Sequence, residues 1–440
     1  MGKTTTFFAL LLYGVLFTAA LPFVFLSLLW RSFKAPAYRR RVFERCGMVA
    51  GAHNNANGIW LHAVSVGEVI AALPVIAELR QRYPDSPLTV TTTTPTGSAH
   101  LLKALEENGL ENITHSYMPY DWPPFVWWFM RSVKPQLLVI METELWPVTL
   151  WLCRRKNVPV VLANARLSEK SAAGYQRVRW LSQGMLQALW VATQYDDDAE
   201  RFLALGLPEQ QLARIGSIKF DIEIASSHRQ IAAEKRAQLN SNGRRFIWIA
   251  ASTHKGEDEK VLAAHRTLLD ADAQSLLILV PRHPERFDDV AKRIAEHEFV
   301  LRRVSDLPAD TNGQRLNSNT QVLLVDSIGQ LLMYYGVADM AFVGGSLVAV
   351  GGHNPIEPAA WGVPVLAGRH YFNFTEVTRR LIEGQALHVV ADEHELAAQL
   401  LIAIKQPDQL QSRGAAARRV VEANRGAQQK LMAFIDCQLR

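Results

Sequence analysis

Three cysteines in 440 residues, Cys46, Cys153 and Cys437, fall at no paired spacing. That scarcity excludes a disulfide framework and fits a reducing compartment. No Cys/His spacing suited to zinc is present, and no aromatic-and-basic RNA motif, so neither a metal nor a nucleic-acid partner is expected. Internal repeats and low-complexity stretches are also missing. Charged residues make up only 20% of the chain against 49% hydrophobic residues. That balance argues against long disorder and supplies core for two or three domains. Charge is absent altogether from Phe7 to Trp30, a run of 24 positions.

At about 1.5 Å per residue this run reaches about 36 Å as a helix, more than the roughly 30 Å hydrocarbon core of a bilayer. Lys3 is the only basic residue before it, whereas Arg31, Lys34, Arg39, Arg40, Arg41 and Arg45 follow it. The asymmetry predicts an N-terminal membrane anchor with the C-terminal bulk on the cytoplasmic side. The length of the run and the basic cluster after it argue against a cleaved signal peptide. Pro22 leaves open a helix lying in the plane of the interface. Much of the net charge of +5 sits in this cluster, which favours anionic membrane lipids as a partner.

After a polar linker at 52–57, β-rich and helical patterns alternate. Strands are expected at 58–64, 88–94, 113–118, 136–141, 158–163 and 189–193, with helices filling most of the gaps. A second series follows the polar span 226–245, with strands at 246–251, 275–280, 321–325, 340–344, 363–366 and 386–390. The tail from 408 to 439 reads as mostly helix. Such alternation predicts an α/β fold of two Rossmann-like, doubly wound domains with an interdomain cleft. Ligands in such sheets bind outside the carboxyl ends of the strands.

Several strand-to-helix turns carry residues suited to chemistry. In the stretch 342–366 a buried strand leads into a turn holding Gly344, Gly345, Gly351 and Gly352. A helix is expected to open at Asn354 and Pro355, a good cap followed by a proline. Free N–H groups there form an anion site, and Glu357 is placed to accept hydrogen bonds from sugar hydroxyls. Without a ligand, the same pattern is an ordinary strand–turn–helix. In SVGE (65–68), Glu68 opens a helix, as a complement to its dipole or as a general base. METELWP (141–147) places Glu142 and Glu144 at a strand end, facing one way only if the strand continues that far. Lys219 in GSIKFD (216–221) is flanked by apolar residues, either solvated or held toward the cleft. PRHPERF (281–287) offers Arg282 as a fork for phosphate, with His283 a structural hydrogen-bonder. DSIGQ (326–330) is another turn whose N–H groups suit an anion or a base edge. The run Asp196–Asp198 reads as helix capping rather than a metal site. Trp122, Trp127 and Trp128 are either core or a membrane-facing or lipid-acceptor surface.

Taken together, KAPAYR, HAVSVGE, TTTTPTGS, METELWP, NARLS, GSIKFD, STHKGE, PRHPERF and FVGGSLV…GGHNPIE occur in one order from about residue 34 to the final helix. In this order they resemble the Kdo (3-deoxy-D-manno-octulosonic acid) transferases of lipopolysaccharide synthesis, glycosyltransferase family 30. The resemblance implies a GT-B architecture divided as 1–33 anchor and flank, 34–225 acceptor domain, 226–420 donor domain and 421–440 C-terminal helix. It implies CMP-Kdo as donor substrate, lipid IVA as acceptor, the cytoplasmic face of the inner membrane, and no cofactor. Carried over by motif, Glu68 becomes the proton acceptor, and Glu142 and Lys219 take transition-state roles. CMP falls to Pro281 and Arg282, to Ile328, Gly329 and Gln330, and to Asn354, Pro355, Ile356 and Glu357. Gln330 stands where many relatives carry Glu, and Ala349–Val350 where a Glu-Arg pair is expected. The alternatives are another GT-B glycosyltransferase using a UDP-sugar, or a non-catalytic membrane scaffold.

Overall fold

Runs of three to seven residues form fourteen strands in the computed structural model, which describes residues 3–49, 58–240, 243, 245–307 and 316–439. The linker expected at 52–57 lies outside the described residues. Among the described residues the chain divides into two compact units, Met1–Asp221 with Arg425–Arg440, and Ile222–Asn424.

The first unit holds β1 (Ile59–His62), β2 (Leu88–Thr92), β3 (Ile113–Tyr117), β4 (Leu137–Met141), β5 (Val160–Ala165), β6 (Leu189–Thr193) and β7 (Leu212–Arg214). They pair in the order β3-β2-β1-β4-β5-β6-β7. The described pairings are all parallel, with Ile59 beside both Leu88 and Leu137. Side chains alternate between two cores. Ile59, Leu61, Leu137 and Val139 enter one face, and Trp60, Leu138 and Ile140 the other. Both faces are buried, as a parallel sheet clothed in helices requires. The indole of fully buried Trp60 keeps a partner, donating to Thr91 Oγ1 at 2.8 Å.

The second unit holds β8 (Ile247–Thr253), β9 (Leu276–Pro281), β10 (Leu301–Arg303), β11 (Val322–Leu324), β12 (Met340–Val343), β13 (Val365–Gly368) and β14 (Leu387–Val390). Their order is β10-β11-β9-β8-β12-β13-β14, again parallel, with Phe342 beside Ala250 and Leu366. Trp248 and Ala250 face one core and Ile247, Ile249 and Ala251 the other.

Two expectations change. β7 (LAR) and β10 (LRR) are three residues each and carry charge, so they lack the apolar run that marks the equally short β11 (VLL). The polar span 226–245 is mostly a helix, Ser226–Leu239, whose buried residues are few enough that its composition resembles a linker. In the TTTTPTGS motif, Pro95–Ser98 form the first turn of helix Pro95–Glu107, capped by Thr94, whose Oγ1 accepts from Gly97 N at 3.1 Å.

The last helix, Ala427–Asp436, packs on the first sheet through Leu431, Met432 and Ile435. The Asp221 carboxylate caps it, accepting from Gly426 N and Gln428 N at 2.6 Å each. At the other end of the chain, helix Lys3–Lys34 runs unbroken through Pro22. Its segment Leu10–Phe33 is long and apolar enough to cross a membrane. The helix also touches the first unit. Trp122 Nε1 donates to Thr18 Oγ1 at 2.9 Å, and the Phe25 and Tyr120 rings meet edge to face. The basic cluster divides. Arg31, Arg39 and Arg40 are exposed, whereas Arg45 is buried over the Tyr117 ring and Arg41 pairs with Glu44.

Candidate active site

In each sheet the chain winds to opposite sides of two adjacent strands, and ligands bind at such a point outside the carboxyl ends. The point lies between β1 and β4 in the first unit and between β8 and β12 in the second.

The turn after β1 delivers Glu68 and the turn after β4 delivers Glu142 and Glu144. Glu68 sits in the first turn of helix Val66–Arg82. Its carboxylate accepts from Val64 N at 2.8 Å and from Ser65 Oγ at 3.1 Å. The two bonds reach back to the residues just before the helix and fix the side chain. Burial raises the Glu68 pKa, the Val64 N–H opposes that rise, and the charge of Glu142 reinforces it.

Glu142 has φ +56°, a left-handed conformation that ends β4 at Met141. The continuing strand needed to put Glu142 and Glu144 on one face is therefore absent, and the turn itself sets their directions. Glu142 Oε1 lies 3.8 Å from Lys219 Nζ. Glu144 is half-buried, and burial, followed by the charge of Glu68, pushes its pKa up to about 7. Three carboxylates and a lysine thus neighbour one another at the end of the first sheet.

Lys219 belongs to a single 3-10 turn, Ile218–Phe220. Asn164 holds that turn through its Oδ1, which accepts from Ile218 N at 3.2 Å. Asn164 is itself buried and left-handed, φ +53°, where the β5–β6 register shifts. The motif NARLS marked this residue, but neither periodicity nor charge pointed to its role. The run Asp196–Asp198 fills the first turn of helix Asp196–Ala204, with Tyr195 at the cap position and no side-chain cap hydrogen bond. Buried Asp198 accepts from Leu167 N at 2.8 Å. The WPPFVWWFM segment divides by helical face, with Phe125, Val126, Phe129 and Met130 buried and Trp127 and Trp128 about two-fifths exposed.

In the second unit the glycine-rich turn has an occupant. The buried carboxylate of Glu257 accepts from Gly345 N at 2.7 Å, Ser346 N at 3.0 Å, Leu347 N at 2.8 Å and His254 N at 2.9 Å. A Cβ on Gly344 would lie 2.7 Å from Ser252 O, and one on Gly345, at φ +70°, 3.1 Å from the His353 ring. These two glycines make room for neighbouring protein rather than for a ligand, a correction to their reading from sequence. Glu257 stands in STHKGE, and sequence alone gave no reason to link it to a turn 88 residues later.

Beyond the turn, helix Ile356–Trp361 begins one residue later than expected, with Pro355 at the cap position. At six residues its dipole is small. Asn354 Oδ1 accepts from Ile356 N and its Nδ2 donates to Glu357 Oε1, both at 3.1 Å. Burial raises the Glu357 pKa, against the Asn354 hydrogen bond and the charge of Arg282. Pro281 ends β9, and Arg282 is exposed and forms no ion pair among the described residues. In the turn before helix Leu331–Tyr335, Ile328 is exposed and Gly329 has φ +84°. Two buried polar atoms there, Ser327 Oγ and Gln330 Oε1, lack hydrogen-bond partners among the described residues. Such atoms are costly unless a ligand or water satisfies them.

A histidine cluster adjoins Arg282. The Nε2 atoms of His254 and His353 are 2.8 Å apart with rings inclined by 6°, and His283 packs edge-on against His254. Burial, followed by the charge of Arg282, pushes the His353 pKa down to about 4. A shared proton between the two Nε2 atoms requires one donor and one acceptor ring.

Comparisons with known proteins agree with this architecture. Residues 40–222 match the profile of the family described as 3-Deoxy-D-manno-octulosonic-acid transferase (kdotransferase). The 3-deoxy-D-manno-octulosonic acid transferase of Haemophilus influenzae is 41% identical over 91% of this chain and 92% of its own. That of Bordetella pertussis is 33% identical over 90% of each chain. Among solved structures, a UDP-GlcNAc 2-epimerase from Neisseria meningitidis covers 86% of this chain with a TM-score of 0.56 at 14% identity. A glycosyltransferase from Rickettsia africae covers 87% with a TM-score of 0.53 at 13% identity. These two distant likenesses speak for a GT-B-like fold alone, whereas the close sequence relatives decide membership: the chain belongs to the 3-deoxy-D-manno-octulosonic acid transferase family and is a glycosyltransferase.

Proposed function

We propose that this enzyme transfers Kdo from CMP-Kdo to lipid IVA with inversion, at the cytoplasmic face of the inner membrane, in lipopolysaccharide synthesis. Glu68 accepts the proton of the acceptor hydroxyl as that oxygen bonds to the anomeric carbon. The bond from that carbon to the phosphate oxygen breaks, and CMP departs as a phosphomonoester. Inverting transfer needs one base on the acceptor side and charge stabilisation on the departing phosphate. The observation that carries the reading is the grouping of Glu68, Glu142, Glu144 and Lys219 at the strand ends of the first unit. A carboxyl with a raised pKa is a stronger base once ionised. Lys219 and Glu142 act as a pair, the lysine countering negative charge as it develops.

On the donor side, Arg282 forks onto the phosphate beside Pro281. The turn Ile328–Gly329–Gln330, with its unsatisfied Gln330 Oε1, reads the base. Asn354, Pro355, Ile356 and Glu357 hold the ribose and sugar. No cofactor is needed, because a phosphomonoester departs without a metal. The N-terminal helix anchors the enzyme. An apolar groove of about 500 Å³ between that helix and Trp122 and Pro123, lined also by Leu10, Leu11, Val15 and Ala19, supplies a surface for an acyl chain.

The test is mass spectrometry of lipid IVA after incubation of the membrane-reconstituted enzyme with CMP-Kdo, and separately with a panel of UDP-sugars. The mass of one or more Kdo groups is expected from CMP-Kdo alone. Transfer from a UDP-sugar but not from CMP-Kdo would overturn the reading.

A further inference from the structure

The second unit contains a cavity of about 600 Å³ that shares no lining residue with the donor-side residues above. It lies against β14, the outermost strand of its sheet, and against helices Thr375–Glu383, Glu393–Lys405 and Pro407–Ala423. Its polar lining includes His388, Gln399, Gln409, Ser412, Arg413 and Arg419, and no Asp or Glu.

Arg413 is the unusual member. Its Nη1 reaches Gln399 Oε1 only at 3.4 Å, and its Nη2 is buried with no hydrogen-bond partner among the described residues. Among those residues it has no carboxylate partner. Burial pushes its pKa down, so the folded chain bears a cost for keeping this charge. Glu395, the acid that touches the lining, is already committed. It pairs with His388 at 3.3 Å and accepts from Ala391 N at 2.8 Å. A half-buried guanidinium with an orphaned donor and no counter-charge destabilises a fold unless something completes it. A surface arginine that merely extends its stem over apolar residues keeps its head in water, which the buried Nη2 does not do.

We propose that this cavity is a second anion site, which takes an oxyanion of the phosphate class on the Arg413 fork with Arg419 as the second charge. Ser412, Gln399 and Gln409 donate to the remaining oxygens. Two guanidinium groups suit a dianion, and the volume admits a group larger than inorganic phosphate. A phosphorylated small molecule and a phospholipid headgroup share this chemistry. The site does not rest on the proposed reaction.

Thermal unfolding of the full-length enzyme in nonionic detergent tests it, with CMP present so that the donor side is occupied. Inorganic phosphate raises the Tm of the parent, and Arg413→Met weakens this binding at least tenfold. Arg419→Gln, at an exposed position, weakens it less and controls for folding. Without phosphate, Arg413→Met unfolds at or above the parent temperature, because an uncompensated charge has gone. A merely structural arginine would lower it. In nanodiscs, an Arg413-dependent difference between phosphatidylglycerol and phosphatidylcholine identifies a headgroup as the source, and its absence identifies a free phosphate. Equal Tm responses of parent and Arg413→Met in both arms overturn the proposal.

Discussion

Glu144 keeps its proton close to neutrality, and this has a measurable sign. Its pKa is about 7 in the folded chain against 4.5 for the free side chain. A raised carboxyl favours the folded state while protonated, so its ionisation there is a cost. The cost is absent below the lower value and complete once the pH passes the upper one. Glu144→Gln therefore gains about 1–3 kcal/mol over the parent between roughly pH 5 and pH 8. Tm measured against pH checks this, and a gain that does not vary with pH contradicts it. Glu142 allows a second test. Its left-handed backbone costs about 1 kcal/mol for a residue with a Cβ. Glu142→Gly is expected to be more stable than Glu142→Ala by roughly that amount, while both lose activity with the Lys219 pair. Denaturant titration of the two variants separates backbone strain from ion pairing. Glu142, Lys219 and Glu68 stood out in the sequence because charge at the end of an apolar run is conspicuous. Asn164 and His254 did not, since a buried amide or imidazole carries no periodic or charge signature.

The elements explain why the glycine-rich turn misled. Composition alone shows a loop with room for a ligand, and says nothing about which chemical group fills the room. Here a distant carboxylate does so. Glu257 ties the turn after β12 to the start of helix Asp258–Ala271 through four backbone N–H groups. Glu257→Gln keeps the shape but puts an N–H₂ where an acceptor was, and is expected to cost about 3 kcal/mol. Hydrogen exchange at Gly345, Ser346 and Leu347 should accelerate in step with that loss. Unchanged protection there would show that the carboxylate does not organise the turn. Long buried strands such as β8 were legible because both faces are apolar. β7 and β10 escaped because their three residues include charged, partly exposed side chains, and the helix Ser226–Leu239 because it buries only Ala232 and Leu239.

At the scale of the whole molecule, the two units differ in strand order, yet each has its switch point beside its own first strand, between β1 and β4 and between β8 and β12. Alternation of strands and helices made that fold readable, since each βαβ unit is locally specified. The return of the last helix to the first unit was not readable, because it depends on the Asp221 cap and on Leu431, Met432 and Ile435 finding a distant sheet. The membrane reading also sharpens here. Only Arg31, Arg39 and Arg40 of the basic cluster are described as exposed. Replacing all three by Gln should weaken binding to anionic vesicles by about 1 kcal/mol per charge, whereas Arg45→Gln should act on folding instead. Co-sedimentation with phosphatidylglycerol vesicles, beside a melting curve, distinguishes the two effects.

The central claim is that the carboxylate of Glu68 takes the acceptor's proton. Single-turnover Kdo transfer by Glu68→Gln, with CMP affinity measured on the same preparation, tests it most directly. The account predicts CMP binding within about twofold of the parent and a transfer rate lower by roughly 10²–10⁴-fold at every pH. Transfer at a near-parental rate would contradict it.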